Sequence, residues 1–87
     1  MPIISMFYGI IIKMYFDDHY PPHFHAVYQD TEAVFSLDGN VIRGKLPRPQ
    51  TNMVKAWCAI HHDELVANWK IASHQEAGQV YKIEPLK

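Results

Sequence analysis

Three of the six histidines in this chain lie in one short stretch, Asp-Asp-His-Tyr-Pro-Pro-His-Phe-His, which ends at His25. Because imidazole exchanges protons near neutral pH, histidines held close together can serve as general acid and general base on a phosphodiester without a metal. His19, His23 and His25 are therefore the candidate catalytic residues. Asp17 or Asp18, together with these imidazoles, could instead supply the ligands of a divalent ion.

A structural role is the third interpretation of these histidines, in which the rings bond to the backbone and hold the loop in place. We expect His25, which has apolar neighbours on both sides, to be the more buried, and His23, next to the prolines, to be the more exposed. No thiolate lies nearby in the sequence, so we predict no tightly bound structural metal. No cofactor is expected.

A basic cluster follows in the middle of the chain, formed by Arg43, Lys45 and Arg48. Guanidinium and ammonium groups bind phosphate, so these three residues are the candidate substrate-binding residues. The ordinary alternative is that they form the solvated end of a strand.

The segment that must position the histidines begins with Pro21 and Pro22. Proline fixes φ and favours an extended residue before it, so the backbone should approach His23 in an extended conformation. If the chain continues as a strand, alternation places His23 and His25 on one face. The apolar residues between and after them then form the face toward the core.

Further short strands are predicted across the first half of the chain, where the apolar residues alternate. The predicted strands are Ile3 to Phe7, Ile10 to Phe16, Phe24 to Tyr28, Glu32 to Leu37 and Asn40 to Lys45, with a terminal strand from Val80 to Ile83. Tyr8-Gly9 and Asp38-Gly39 are typical of tight turns between antiparallel strands.

After Pro49 the apolar period becomes helical, and the pattern predicts helix from about Gln50 to about Ser73. Thr51 or Asn52 is expected to cap its start. Gly78 is expected to end it.

An apolar stripe along this helical region is expected to cover one face of the sheet. The predicted stripe comprises Met53, Val54, Trp57, Ile60, His61, Leu65, Val66, Trp69 and Ala72. The polar run from His61 to Glu64 could divide the region into two helices. One continuous or kinked helix is favoured, because no Gly or Pro interrupts the pattern.

Length and composition indicate a single α+β domain over residues 1–87. Its expected architecture is an antiparallel sheet of four to five short strands, followed by one long or two short helices packed on one face. Cys58 is the single cysteine, which excludes an internal disulfide and fits a reducing cytoplasm. A net charge of −1 does not by itself suggest nucleic acid, and no apolar run is long enough to span a membrane.

The run from Met14 to His25 resembles the signature of a small bacterial family of unknown function, whose specific part is Pro21-Pro22-His23-Phe24-His25. Other resembling pieces are Pro2-Ile3-Ile4, Gly44-Lys45-Leu46-Pro47, Glu64-Leu65 and Asn68-Trp69. Members have about this length, so the resemblance covers nearly the whole chain. They are often encoded beside another small protein, in an arrangement resembling toxin–antitoxin modules. The resemblance implies a role as one partner of such a pair and carries over no catalytic residues.

The leading hypothesis is therefore a cytoplasmic partner of a toxin–antitoxin-like pair that acts on RNA or on a protein partner. Whether it is an enzyme stays open, as does formation of a homodimer. The rivals are a non-catalytic module that pairs through an exposed strand edge, and a metal-binding protein that uses the His-x-His loop. A cleft that holds His25 beside the basic cluster would favour action on RNA. Burial of all the loop histidines against backbone would favour the interaction module.

Overall fold

The chain folds as an antiparallel sheet followed by two helices, which confirms the predicted α+β class. The computed structural model describes residues 3–15, 21–73 and 81–87. Its strands are β1 (Ile3–Phe7), β2 (Ile10–Lys13), β3 (His23–Tyr28), β4 (Thr31–Ser36) and β5 (Val41–Gly44), and its helices are α1 (Arg48–Ile60) and α2 (His62–Ser73). Each strand pairs antiparallel with the next one along the chain. Neither of these helices is long and apolar enough to cross a membrane.

Tight turns with positive φ join the strands of this meander. Tyr8 and Gly9 turn from β1 to β2 with φ of 49° and 79°. Gln29, with φ of 55°, begins the turn from β3 to β4, and Gly39, with φ of 90°, lies in the turn from β4 to β5. Positive φ at such positions matches the twist of the flanking strands, so the turns fix the register in which side chains meet.

One face of the sheet packs against both helices. The buried apolar residues of this core are Ile4, Phe7, Ile10, Ile12, Met14, Phe24, Ala26, Ala33, Phe35, Leu37, Leu46, Val54, Trp57, Cys58, Leu65, Trp69, Ala72 and Ile83. The ring of Trp57 lies 5.5 Å from that of Phe7 and 5.7 Å from that of Phe24, between centroids. Its indole N–H donates to the carbonyl of Glu84 at 2.8 Å. The predicted burial of Trp57 and Trp69 is confirmed.

Ile60 was wrongly placed on the buried stripe of the helix. The inward face of α1 is formed by Val54, Trp57 and Cys58, at positions i, i+3 and i+4. At 100° per residue, Ile60 lies about 100° from the middle of that face. It is 66% exposed.

The start of α1 also differs from the expectation. The helix begins at Arg48, so Pro49 lies in its first turn, where the missing N–H costs nothing. The predicted caps, Thr51 and Asn52, consequently fall inside the helix. The Thr51 hydroxyl instead donates to the carbonyls of Leu46 and Pro47, at 3.2 and 3.1 Å.

Two helices follow the sheet, the alternative that the sequence left open to the favoured continuous or kinked helix, and His61 separates them with φ of −111° and ψ of 25°. Its Nδ1 bonds to the Glu64 carboxylate at 2.6 Å. Asp63 and Glu64 occupy the first turn of α2, where the positive end of the helix dipole favours carboxylates. A new helix start is therefore stabilised here without the Gly or Pro that we had expected a break to require.

The C-terminal segment, residues 81–87, lies along β1 and the helices without forming a strand, so the predicted strand ending at Ile83 is absent from this described segment. The N–H of Ile83 donates to a carbonyl of β1 at 2.7 Å. The Asn68 side chain holds both backbone groups of Tyr81, donating to its carbonyl at 2.7 Å and accepting from its N–H at 3.0 Å. The segment is thus held mainly by side-chain hydrogen bonds and not by the backbone pairing of a strand.

Candidate functional site

His23 is the first residue of β3, and its side chain is buried. Nδ1 donates to the carbonyl of Pro21 at 2.6 Å, and the ring lies 5.3 Å from that of Trp69. The expectation that His23 would be the more exposed histidine is therefore wrong. The prolines turn a carbonyl back toward the ring, and Trp69 lies against it.

His25, two residues further along β3, is less buried, with 14% of its side chain exposed. Its Nδ1 lies 2.9 Å from a carboxylate oxygen of Glu32. A carboxylate accepts and does not donate, so Nδ1 carries the hydrogen and the lone pair of the neutral ring is on Nε2. The ring of Tyr15 meets the imidazole edge-on, with centroids 4.4 Å apart. His25 is thus an imidazole whose tautomer is set by an acidic neighbour, as in a general base.

Strand register places His25 in a row of side chains on the sheet face opposite the one that carries Phe24 and Ala26 in the core. Lys13 pairs with His25, His25 with Val34, and Val34 with Arg43. Directly paired residues point to the same face, and neighbouring strands lie about 4.8 Å apart. The cross-sheet row Lys13–His25–Val34–Arg43 therefore carries a cation on each side of the imidazole.

A pocket of about 210 Å³ opens at this row, lined by His25, Glu32, Val34, Arg43 and Gly44. Gly44 has φ of +73°, and a Cβ there would lie 2.3 Å from the carbonyl oxygen of Glu32. Because glycine has no Cβ, β5 can approach β4 this closely at Gly44. The close approach holds Arg43 in the pocket that His25 also lines. The volume is that of several water molecules and can take a phosphate group.

The structure brings His25 and Arg43 of the predicted site to one pocket, and the ring of His23 lies 5.5 Å from that of His25. Lys45 and Arg48 are exposed and do not line the pocket, and Arg48 begins α1. His19, Asp17 and Asp18 lie outside the described residues. Within residues 3–15, 21–73 and 81–87, no group of three His, Cys, Asp or Glu side chains could hold a metal ion.

The sequence analysis missed three residues of the site: Glu32, Lys13 and Gly44. A two-residue turn at Gln29 and Asp30 would have set the register and placed Glu32 diagonally across from His25. Lys13 could have been proposed as a cation of the site, because it is the one lysine or arginine that precedes Arg43 in the sequence. The need for Gly44 depends on a close strand approach that the sequence does not reveal.

Cys58 belongs to the core. Its thiol donates to the carbonyl of Leu37 at 2.9 Å. Burial, and to a smaller extent the charge of Asp38, raises the pKa of Cys58 to about 11. Since the thiolate is the reactive form, Cys58 is no nucleophile at neutral pH.

A family model described as Domain of unknown function (DUF4160) matches residues 9–70. The matched range runs from the start of β2 into α2 and contains His25, Glu32 and Arg43. Neither the search of curated proteins nor the search of solved structures gives a match. Since the model covers most of the 87 residues, the chain belongs to the DUF4160 family of domains of unknown function.

Proposed function

We propose that the protein acts on RNA as one partner of a toxin–antitoxin-like pair, with His25 as the proton-transfer residue. One observation carries the proposal: an imidazole oriented by a carboxylate shares a pocket with an arginine. Histidine supplies proton transfer near neutral pH, and arginine supplies charge and paired hydrogen bonds for phosphate. Together they meet the needs of phosphodiester cleavage.

A phosphate group is expected to bind between Arg43 and His25. The two residues are separated by Val34 in the row, and thus by about 10 Å between backbones at 4.8 Å per strand. Both side chains are long enough to reach a group placed above Val34. Lys13, on the other side of His25, can neutralise the next phosphate of a bound strand.

The reaction proposed is an intramolecular transesterification, for which RNA carries its own nucleophile. Nε2 of His25 accepts the proton of a ribose 2′-hydroxyl while that oxygen attacks the adjacent phosphorus. The bond from phosphorus to the 5′-oxygen breaks, that oxygen takes a proton from water, and the imidazolium returns its proton to solvent. The products are a 2′,3′-cyclic phosphate and a 5′-hydroxyl. Arg43 stabilises the charge that develops on the phosphoryl oxygens.

His23 is assigned a positioning role and not proton transfer. Its ring lies 5.5 Å from that of His25, and its Nδ1 is bonded to the backbone. A buried ring fixed in this way supports one side of the His25 imidazole. Glu32 supports the Nδ1 side.

The test is cleavage of a labelled single-stranded RNA by the purified protein in the presence of EDTA. We expect a cyclic phosphate product by mass spectrometry, and no cleavage where a single 2′-deoxy nucleotide replaces the cleaved position. His25→Ala should lower the rate by about 100-fold or more. Arg43→Gln should lower it as well, whereas Lys45→Gln, outside the pocket, should leave it nearly unchanged. Equal cleavage of DNA, or full activity of His25→Ala, would exclude the proposal.

The role in a pair has its own test, which is growth of cells that express the chain with or without the protein encoded beside it. Expression alone should slow growth, and co-expression should restore it with formation of a complex. His25→Ala should relieve the growth defect without preventing complex formation. A defect that persists in His25→Ala would separate toxicity from the proposed chemistry.

A further inference from the structure

The β5 strand is an open edge of the sheet. Within the described residues it pairs with β4 alone. All four of its residues are exposed, including two large apolar ones, Val41 at 40% and Ile42 at 47%. Unpaired backbone groups along such an edge are a template for one more strand.

Charge along β5 and the segment that follows it has one sign, while Glu32 of the neighbouring strand lines the pocket with Arg43. No aspartate or glutamate occurs between Asp38 and Asp63, whereas Arg43, Lys45 and Arg48 lie in β5 or shortly after it. Pairing β5 with β5 of a second copy would place two positively charged strands side by side, which is unfavourable wherever like charges lie opposite each other. An acidic strand would meet complementary charge.

A bulge in β5 limits the length of any added strand. Phe35 pairs with Val41 and Val34 with Arg43, so Ile42 is the extra residue and the ladder shifts there. A bulge of this kind shortens the run of regular backbone pairing. Recognition must then depend on side chains as well, namely the exposed apolar pair and the cations next to it.

We infer that the β5 edge binds an extended acidic segment of a partner protein, which adds to the sheet as a further strand. Apolar residues of the segment would pack on Val41 and Ile42, and its carboxylates would pair with Arg43 and Lys45. Because Arg43 also lines the pocket of His25, the bound segment competes there with phosphate. This competition rests on the proposed function, whereas the strand addition does not.

The probe is a short acetylated peptide of alternating glutamate and valine, added to the full chain. We expect binding that weakens as salt is raised, with protection of the amides of residues 41–44 from hydrogen exchange. The same peptide methylated at every backbone nitrogen keeps its charge but cannot donate the hydrogen bonds of a strand ladder. It should bind at least about tenfold more weakly.

Matched protein variants distinguish binding of the peptide at the β5 edge from nonspecific attraction to charge elsewhere on the surface. Lys45→Glu should weaken binding of the peptide while leaving RNA cleavage nearly intact, and Lys55→Glu, on the exposed side of α1, should change neither. Equal affinity of the methylated peptide, or protection located outside β5, would overturn the inference. So would a dimer in sedimentation with β5 already protected, because a second copy would then occupy the edge.

Discussion

At the scale of single residues, two histidines on one strand face have different surroundings. His23 is buried and bonds to a backbone carbonyl, whereas His25 is partly exposed and bonds to a carboxylate that is itself 51% exposed. The first arrangement holds the backbone before β3 in place. The second fixes the orientation of the His25 ring through its Nδ1.

The two histidine-to-alanine variants should therefore behave differently. His23→Ala leaves the carbonyl of Pro21 without its partner and is expected to lower the free energy of unfolding by about 1–3 kcal/mol. His25→Ala removes a bond to an exposed carboxylate and should cost about 1 kcal/mol or less, while abolishing RNA cleavage. Urea unfolding of both variants beside the cleavage assay checks this. Equal, large destabilisation would mean that both residues are structural.

The raised pKa of the buried Cys58 thiol predicts a loss of stability in alkaline solution. Its pKa is raised from 9.0 to about 11 in the folded chain, so between these values the unfolded chain loses the proton first. Stability is therefore complete below pH 9 and falls as pH rises toward 11, by about 2–3 kcal/mol from this group at 1.36 kcal/mol per pKa unit. Measuring the free energy of unfolding of wild type and of Cys58→Ala between pH 9 and pH 11 isolates the contribution of this thiol. A parallel pH dependence of the two would contradict it.

At the scale of elements, alternation and turn residues were enough to predict the five strands of the sheet and the change to helix near Pro49, but not the strand ends, since β2 stops at Lys13 and not at Phe16. The exact pairing was not predictable in the same way, because shifting one residue between turn and strand moves every cross-strand neighbour. The predicted strand begins at Glu32, whereas β4 begins at Thr31, and Glu32 was missed as the partner of His25. Two short helices were left as an alternative to one long helix, because neither Gly nor Pro marks the break at His61.

The glycines of β5 and its turn give a prediction at this scale. Gly39 and Gly44 both have positive φ, but a Cβ has room at Gly39, with no contact nearer than 3.8 Å, and at Gly44 it meets backbone at 2.3 Å. Gly39→Ala should cost about 1–2 kcal/mol from backbone strain alone. Gly44→Ala must also separate β5 from β4, for a total of at least about 3 kcal/mol.

Thermal melts of the two glycine variants provide the measurement, with each serving as the other's control. The Gly44→Ala variant should also lose RNA cleavage, because Arg43 moves with β5. Similar melting temperatures for the two would show that the strands can separate at little cost.

At the scale of the whole molecule, the C-terminal segment ties the sheet to both helices. It bonds to β1 through Ile83, to α1 through the indole of Trp57, and to α2 through Asn68. Asn68 is 2% exposed, and its amide holds the backbone of Tyr81 and not its side chain. The segment is thus recognised through main-chain groups, largely without regard to the side chain at this position.

Substitutions of Asn68 and of Tyr81, the two sides of this contact, should differ in how much they lower the free energy of unfolding. Asn68→Ala removes both bonds and leaves a cavity, so we expect a loss of about 2–3 kcal/mol and faster hydrogen exchange in residues 81–83. Tyr81→Ala keeps both bonds, and because Tyr81 is 66% exposed it should cost less than about 0.5 kcal/mol.

Tyr81→Pro supplies a further variant, because of the two bonds to Asn68 it removes the one that the backbone N–H donates, together with the exposed side chain. Its stability should fall between those of Asn68→Ala and Tyr81→Ala. Urea unfolding of the three variants gives the order. A Tyr81→Ala variant as unstable as Asn68→Ala would show that the tyrosine side chain, and not the backbone, is the group recognised.

The hydrogen bond from the Trp57 indole to Glu84 has a spectroscopic consequence. Indole emission depends on what surrounds its ring and what accepts its N–H, and Trp57 is fully buried with its N–H on the C-terminal segment. Trp69 is the one other tryptophan in the chain. A Trp69→Phe variant would leave Trp57 as the sole indole fluorophore. The emission wavelength of this protein, without any added label, would then report whether residues 81–87 are packed against Trp57.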